Sequence, residues 1–154
     1  VPEKREEVTT EGGLDVIKHK NKLKEIIQLL SDEDIPVSLF VDPVQAQLEK
    51  CAEVKAAWIE LHTGKYAVTK NQERNLELSI IKESTAKAKS YGLRVNAGHG
   101  LTYQNVEPIA AIEGIEELNI GHTIISRALS VGLSQAVKEM KSLIINPRKD
   151  NFLI

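Results

Sequence analysis

Short apolar runs alternate with longer helical patterns along this chain, and this alternation constrains its fold more than any other feature. Each apolar run has the length and composition of a buried strand, and each is followed by apolar residues at helical spacing. Strands separated by helices form βαβ units, in which the strands lie parallel in one sheet. The pattern therefore predicts an α/β protein. The predicted strands cover residues 36–41, 57–61, 94–98 and 117–120.

The helices between these strands carry their own start and stop signals. Asp42 is the expected N-cap and Pro43 the first helical residue of the helix after the first strand. Gly92 is expected to stop the longest helix, and Asn146 and Pro147 to end the last one. The predicted helices cover residues 14–30, 43–54, 71–91, 103–112 and 123–145.

Four strands with their helices are too few to close an eight-stranded (β/α)8 barrel. A half-barrel with exposed edges is expected to be unstable alone. Three explanations stay open: strands are missing from this sequence, another chain supplies them, or the domain is an open sheet.

Composition excludes several functional classes. The formal net charge of −2 over 154 residues gives no basic face for nucleic acid. No apolar run approaches the ~20 residues of a membrane helix. The single cysteine, Cys51, excludes an internal disulfide and fits a reducing cytoplasm, and its helical pattern predicts a small core residue. The histidines are far apart, so no metal-ligand spacing is present.

Polar residues gather where the predicted strands end, which is where parallel α/β proteins build their sites. Strand alternation places Glu60 on the face opposite Ile59 and Leu61, which point toward the helices. A carboxylate there needs a partner or a task. It either forms a structural ion pair or stabilises a cationic intermediate. The polar residues at strand ends are Glu60, His62, Asn96, His99, Gly100, Asn119, Gly121 and His122.

Histidine and glycine at these ends suggest acid–base chemistry and anion binding. His99 follows a glycine and could act as a general acid or base, or be a loop histidine bonded to the backbone. His62 could contact a ligand or simply begin a turn. Gly121 and His122 lead into a helix whose N–H groups could bind phosphate together with Gly100, although many helices begin this way without a ligand. Thr9 could bind phosphate or cap a helix.

Two motifs in one chain carry a family resemblance. Asn-Ala-Gly-His-Gly at 96–100 and Glu-Leu-Asn-Ile-Gly-His at 117–122 resemble the ends of the seventh and eighth strands in the pyridoxine 5'-phosphate synthase family. Residues 1–16, 37–42 and 59–64 resemble its fourth strand end with the following loop, its fifth strand and its sixth strand. The match continues to about residue 143.

The resemblance implies a (β/α)8 TIM barrel that forms homo-oligomers, of which residues 1–154 supply about the last four strands. It implies a vitamin B6 biosynthetic condensation of 3-amino-2-oxopropyl phosphate with 1-deoxy-D-xylulose 5-phosphate, without metal or organic cofactor. The products are pyridoxine 5'-phosphate, inorganic phosphate and water. The family's first strands carry further catalytic residues that this sequence lacks, so we expect these 154 residues alone to be inactive.

By the same resemblance, His99 is a proton donor and Glu60 stabilises the transition state. Thr9 binds the pentulose phosphate, in a loop that acts as a lid. Two other functions compete: a different sugar-phosphate barrel enzyme, and a noncatalytic fragment that binds phosphate or pairs with another chain. The residues implied to hold the amino-oxopropyl phosphate are Gly100, Gly121 and His122.

Overall fold

The computed structural model describes residues 12–150 of the protein, and the side chains of residues 12–147. Strands and helices alternate along this part of the chain, as predicted. In order, the elements are α1 (Val16–Ser31), β1 (Ser38–Val41), α2 (Gln45–Glu53), β2 (Trp58–His62), α3 (Gly64–Val68), α4 (Asn71–Ser90), β3 (Arg94–Gly98), α5 (Val106–Ala110), β4 (Ile115–Asn119), α6 (His122–Val131) and α7 (Leu133–Asp150).

The strands form one parallel sheet in the order β1-β2-β3-β4, which confirms the predicted α/β class. Within the described residues the sheet is open, with β1 and β4 at its two edges. Phe40 pairs with Glu60, Glu60 with Asn96, and Asn96 with Glu117. Paired residues on neighbouring strands point to the same side, so these four side chains form a row across one face.

The opposite face of the sheet is the hydrophobic core. Ile59 and Leu61 are completely buried there, as the strand alternation predicts. Cys51 on α2 lies in the same cluster with no exposed surface, and burial raises the pKa of its thiol to about 12. Such a thiol stays protonated at neutral pH, so the predicted core role of Cys51 is confirmed.

The start of α2 differs from the prediction. The helix begins at Gln45, with Val44 at the N-cap, so Pro43 is not the first helical residue. Asp42 does not cap the helix, because its carboxylate accepts hydrogen bonds from the Gly13 N–H and from His62. A local Asp-Pro signal is therefore overridden by contacts with residues far away in the chain.

The C-terminal elements also differ from the prediction. The fourth strand ends at Asn119 and begins earlier than expected, with a register irregularity opposite Val95 and Asn96. The single helix predicted over 123–145 is two helices, separated by Gly132 at φ +82°, a conformation that glycine supports. The predicted end at Asn146 and Pro147 is wrong, because α7 continues through Pro147.

Two further observations concern the described part of the chain. The region predicted as a loop after β2 contains the helix α3, whose 5 residues are too few to show an apolar period. No helix in residues 12–150 combines the length and the apolar character that crossing a bilayer requires.

Candidate active site

A cavity of about 1310 Å³ lies at the carboxyl ends of the strands. The predicted location of polar residues at this edge of the sheet is confirmed. Thr9, for which a phosphate contact was predicted, lies outside the described residues. The predicted site residues that line the cavity are Glu60, His62, His99, Gly100, Asn119, Gly121 and His122.

Glu60 lies half-buried on the polar face of β2. Its Oε2 accepts a hydrogen bond of 2.7 Å from Asn119 Nδ2, and no Lys or Arg among residues 12–147 forms an ion pair with it. Burial raises the pKa of the Glu60 carboxyl above its ordinary value, while the Asn119 hydrogen bond acts in the opposite direction. The part of the chain that the structure describes thus offers Glu60 a hydrogen bond but no structural cation.

Gly98 makes the position of Glu60 possible. A Cβ atom at this glycine would overlap Glu60 Oε1 and would lie 3.0 Å from the Cβ of Asn119. Gly98 is paired with His62 on β2 and with Asn119 on β4, so it lies between these two residues in the sheet. The absence of a side chain at this point leaves the space that the carboxylate occupies.

Replacing Asn119 by leucine should move the titration of Glu60 to higher pH. The Asn119 hydrogen bond stabilises the ionised carboxylate, so its loss raises a pKa that burial has already raised. Carbon-13 NMR of the Glu60 carboxyl carbon, titrated in both proteins, measures the change. Gln28→Leu removes an exposed side-chain hydrogen bond on α1 and is the control. A midpoint that stays constant or falls in the Asn119 variant would contradict the assignment.

His99 stands exposed at the mouth of the cavity, directly after β3. Its backbone has a φ of +83°, which is unusual for a residue with a side chain. Neither ring nitrogen has a hydrogen-bond partner among residues 12–147, so the alternative of a ring bonded to the backbone finds no support there. Partial burial, and then the neighbouring His62, lower the pKa of His99 below its ordinary value.

His62 lies beside His99, and its sequence pattern was compatible with either a ligand contact or the start of a turn. Its ring centroid lies 4.8 Å from that of His99 and 5.1 Å from that of Phe40. Its Nδ1 lies 2.8 Å from Asp42 Oδ1. The sequence prediction missed Asp42 as a site residue, although its place after β1 follows the same rule that identified the others.

Two glycines, Gly121 before α6 and Gly100 after β3, also line the cavity. Gly121 is the N-cap of α6, and within residues 12–147 this position makes no side-chain cap hydrogen bond to the first turn of the helix. A Cβ atom at Gly121 would meet nothing within 4 Å among the described residues, so space is open in front of it. Gly100, at φ +74°, lies against Ala67. Uncapped N–H groups at a helix start are suited to an anion.

The described residues contain no group of three or more His, Cys, Asp or Glu side chains able to hold a metal ion. The cavity brings together a half-buried carboxylate, an imidazole and the backbone N–H groups at the start of α6. Such a set can transfer protons and bind an anionic substrate.

A solved structure shares this fold. The crystal structure of the Amycolatopsis orientalis BexX/CysO complex superposes on 83% of this chain and 49% of that chain, with a TM-score of 0.58. Sequence identity is 12%, so the likeness concerns the fold alone.

Known proteins with much higher sequence identity to this chain are pyridoxine 5'-phosphate synthases. Pyridoxine 5'-phosphate synthases of Prochlorococcus marinus strains NATL1A and NATL2A are 93% and 92% identical over all 154 residues. The synthase of Synechococcus sp. strain WH7803 is 63% identical over 150 residues, which cover 97% of this chain and 61% of that protein. The chain spans about 63% of the length of the two Prochlorococcus relatives. A family model described as Pyridoxal phosphate biosynthesis protein PdxJ matches residues 1–146, and the chain belongs to this family.

Proposed function

We propose that this chain is the C-terminal part of a pyridoxine 5'-phosphate synthase. The family match and the names of its relatives support this function. The open parallel sheet and the 63% share of the relatives' length fit a barrel whose other strands lie in a preceding segment. The complete enzyme is then a (β/α)8 barrel that forms homo-oligomers in the cytoplasm.

The observation that carries the proposal is the meeting of Glu60, His99 and the start of α6 in one cavity. The proposed reaction joins an amino ketone phosphate to a pentulose phosphate, which requires imine formation and loss of water. His99 donates a proton to a leaving oxygen, and its lowered pKa makes its imidazolium a stronger acid. Glu60, when ionised, stabilises the positive charge that develops on the imine nitrogen.

Both substrates carry a phosphate, so two anion sites are required. Gly100, Gly121 and His122 hold the amino-oxopropyl phosphate against the N–H groups at the start of α6. The second phosphate, on the pentulose, is assigned to Thr9 and its loop. A cavity of about 1310 Å³ has room for two small phosphorylated substrates. Inorganic phosphate leaves as a product, and no metal or organic cofactor takes part.

Gly121→Ala should weaken substrate binding without harming the fold. The added methyl group meets no described atom within 4 Å, so residues 12–147 leave room for it. It would occupy the space proposed for the phosphate, and we expect KM for 3-amino-2-oxopropyl phosphate to rise about tenfold or more, since one lost hydrogen bond to a charged group costs about 1.5–3 kcal/mol. Steady-state kinetics and thermal unfolding measure the two effects. An unchanged KM would exclude Gly121 from the phosphate site.

Intact mass and a synthase assay together test the proposed function. A natural protein well above 17.1 kDa that converts both substrates to pyridoxine 5'-phosphate supports it. A polypeptide of these 154 residues alone should show no turnover. Conversion of a single sugar phosphate without the amino ketone would favour a different barrel enzyme. No turnover by the complete protein would favour a noncatalytic phosphate-binding protein.

A further inference from the structure

Asp42, His62 and His99 form a line of contacts along the edge of the cavity. Asp42 Oδ1 lies 2.8 Å from His62 Nδ1 and also accepts a hydrogen bond of 3.1 Å from the Gly13 N–H. An ionised carboxylate only accepts hydrogen bonds, so His62 Nδ1 must carry the proton between them. The contact therefore fixes both the orientation and the protonated nitrogen of the His62 ring.

The His62 ring is confined on its other sides as well. Phe40 meets it edge-on at 5.1 Å, and a Cβ atom at Gly64 would overlap its Nε2 side. The side chain is only 10% exposed, and the buried Nε2 has no hydrogen-bond partner among the described residues. A ring enclosed in this way has little freedom to turn, so it offers a fixed surface to the neighbouring ring of His99.

His99 is the neighbour that needs such support. Its ring has no hydrogen bond to the described residues, and its backbone adopts a positive φ between two glycines. The ring contacts that orient it come from His62 at 4.8 Å and, farther away, from Phe40 at 6.3 Å. A donor that is misplaced by about 1 Å can lose about 10²-fold in rate.

We propose that Asp42 and His62 are positioning residues that hold the His99 ring in the orientation from which it donates its proton. This inference rests on the proposed synthase function of His99. Asp42 holds His62 by a hydrogen bond, and His62 holds His99 by ring packing. Asp42 also accepts a hydrogen bond from the Gly13 N–H, which helps to fix the carboxylate beside His62.

Kinetics of the complete synthase test the positioning role. Asp42→Ala should lower kcat by about 10- to 100-fold and leave KM for 3-amino-2-oxopropyl phosphate nearly unchanged, because Asp42 is hydrogen-bonded to Gly13 and His62 and not to the residues proposed to hold that phosphate. Asp42→Asn keeps an oxygen that accepts from His62 Nδ1 and should restore most of kcat. Asp32→Ala, which removes an exposed carboxylate after α1, is the matched control. Wild-type kcat in Asp42→Ala, or no rescue by Asp42→Asn, would overturn the proposal.

The contact between the His62 and His99 rings is tested by His62→Phe and His62→Ala. Phenylalanine keeps the ring contact with His99, so we expect a smaller loss of kcat than with alanine. His19→Ala removes an exposed histidine on α1 and is the control for a general effect of losing a histidine. Equal losses in the two His62 variants would overturn the role of ring packing.

Histidine-ring NMR separates this proposal from the proposed function. In Asp42→Ala the Cδ2–H and Cε1–H signals of His99 should shift or broaden, while those of His19 stay in place. Unchanged His99 signals would overturn the positioning role even in an active enzyme. A response of His99 in a protein without synthase turnover would instead leave the positioning role standing and refute the proposed function.

Discussion

Replacing His99 by asparagine should lower kcat of the proposed complete synthase by about 10²- to 10⁴-fold, the range expected when a general acid is lost. Asparagine keeps a polar side chain of similar size but cannot donate a proton as an acid. It also adopts positive φ more readily than most residues, so the backbone at φ +83° is preserved. Steady-state kinetics with both phosphorylated substrates measure the loss, and KM should change little because no phosphate contact is removed.

His122→Asn is the matched comparison for this prediction. His122 lines the same cavity but is assigned to phosphate binding, so its loss should appear in KM more than in kcat. A His99→Asn enzyme with undiminished kcat would remove His99 from the chemistry. If both variants changed kcat and KM in the same way, the separate assignments of His99 to proton donation and of His122 to phosphate binding would be wrong.

Gly98→Ala should reproduce the loss caused by Glu60→Gln, although it changes no charged group. The new methyl group would overlap Glu60 Oε1, so the carboxylate must leave its place beside Asn119. We expect kcat to fall about 10²- to 10³-fold in each variant, as when one preorganised electrostatic contact to the transition state is lost. Synthase kinetics measure both, and circular dichroism confirms that the fold is retained.

The double variant Gly98→Ala/Glu60→Gln gives the sharper result. If alanine acts only by displacing Glu60, the double variant should be no slower than the worse of the two single variants. Effects that multiply would show that Gly98 contributes separately, for example by its own contact with substrate. A fully active Gly98→Ala enzyme would mean that the position of Glu60 is not critical.

The strands and the edge that carries the site could be predicted from local pattern. Along β2 the buried residues Ile59 and Leu61 alternate with less buried ones, and parallel topology then determines which strand ends meet. The same logic located Glu60 and His99 at one edge without knowledge of any contact.

Contacts between distant residues could not be predicted in this way. Asp42 carries a strong local signal for a helix cap, while the partner that overrides it, His62, lies 20 residues further on. Asn119, which holds Glu60, is 59 residues away from it. The sequence shows a glycine at 98 but not the carboxylate that occupies the space above it.

The ends of some helices were also predicted incorrectly, because the same type of residue can either end a helix or lie within one. A single glycine within a helical pattern is either tolerated or becomes a break, and Gly132 breaks the pattern between α6 and α7. A proline usually ends a helix, yet Pro147 lies within α7. Tertiary context decides between these outcomes.

Because His99 has a positive φ, selection for stability and selection for activity should favour different residues at position 99. A residue with a side chain in this conformation costs about 1 kcal/mol or more relative to glycine. A library of variants at position 99 that is selected only for heat resistance should therefore become enriched in glycine and asparagine. The same library selected for growth without external vitamin B6 should return to histidine if His99 has the proposed role as a proton donor.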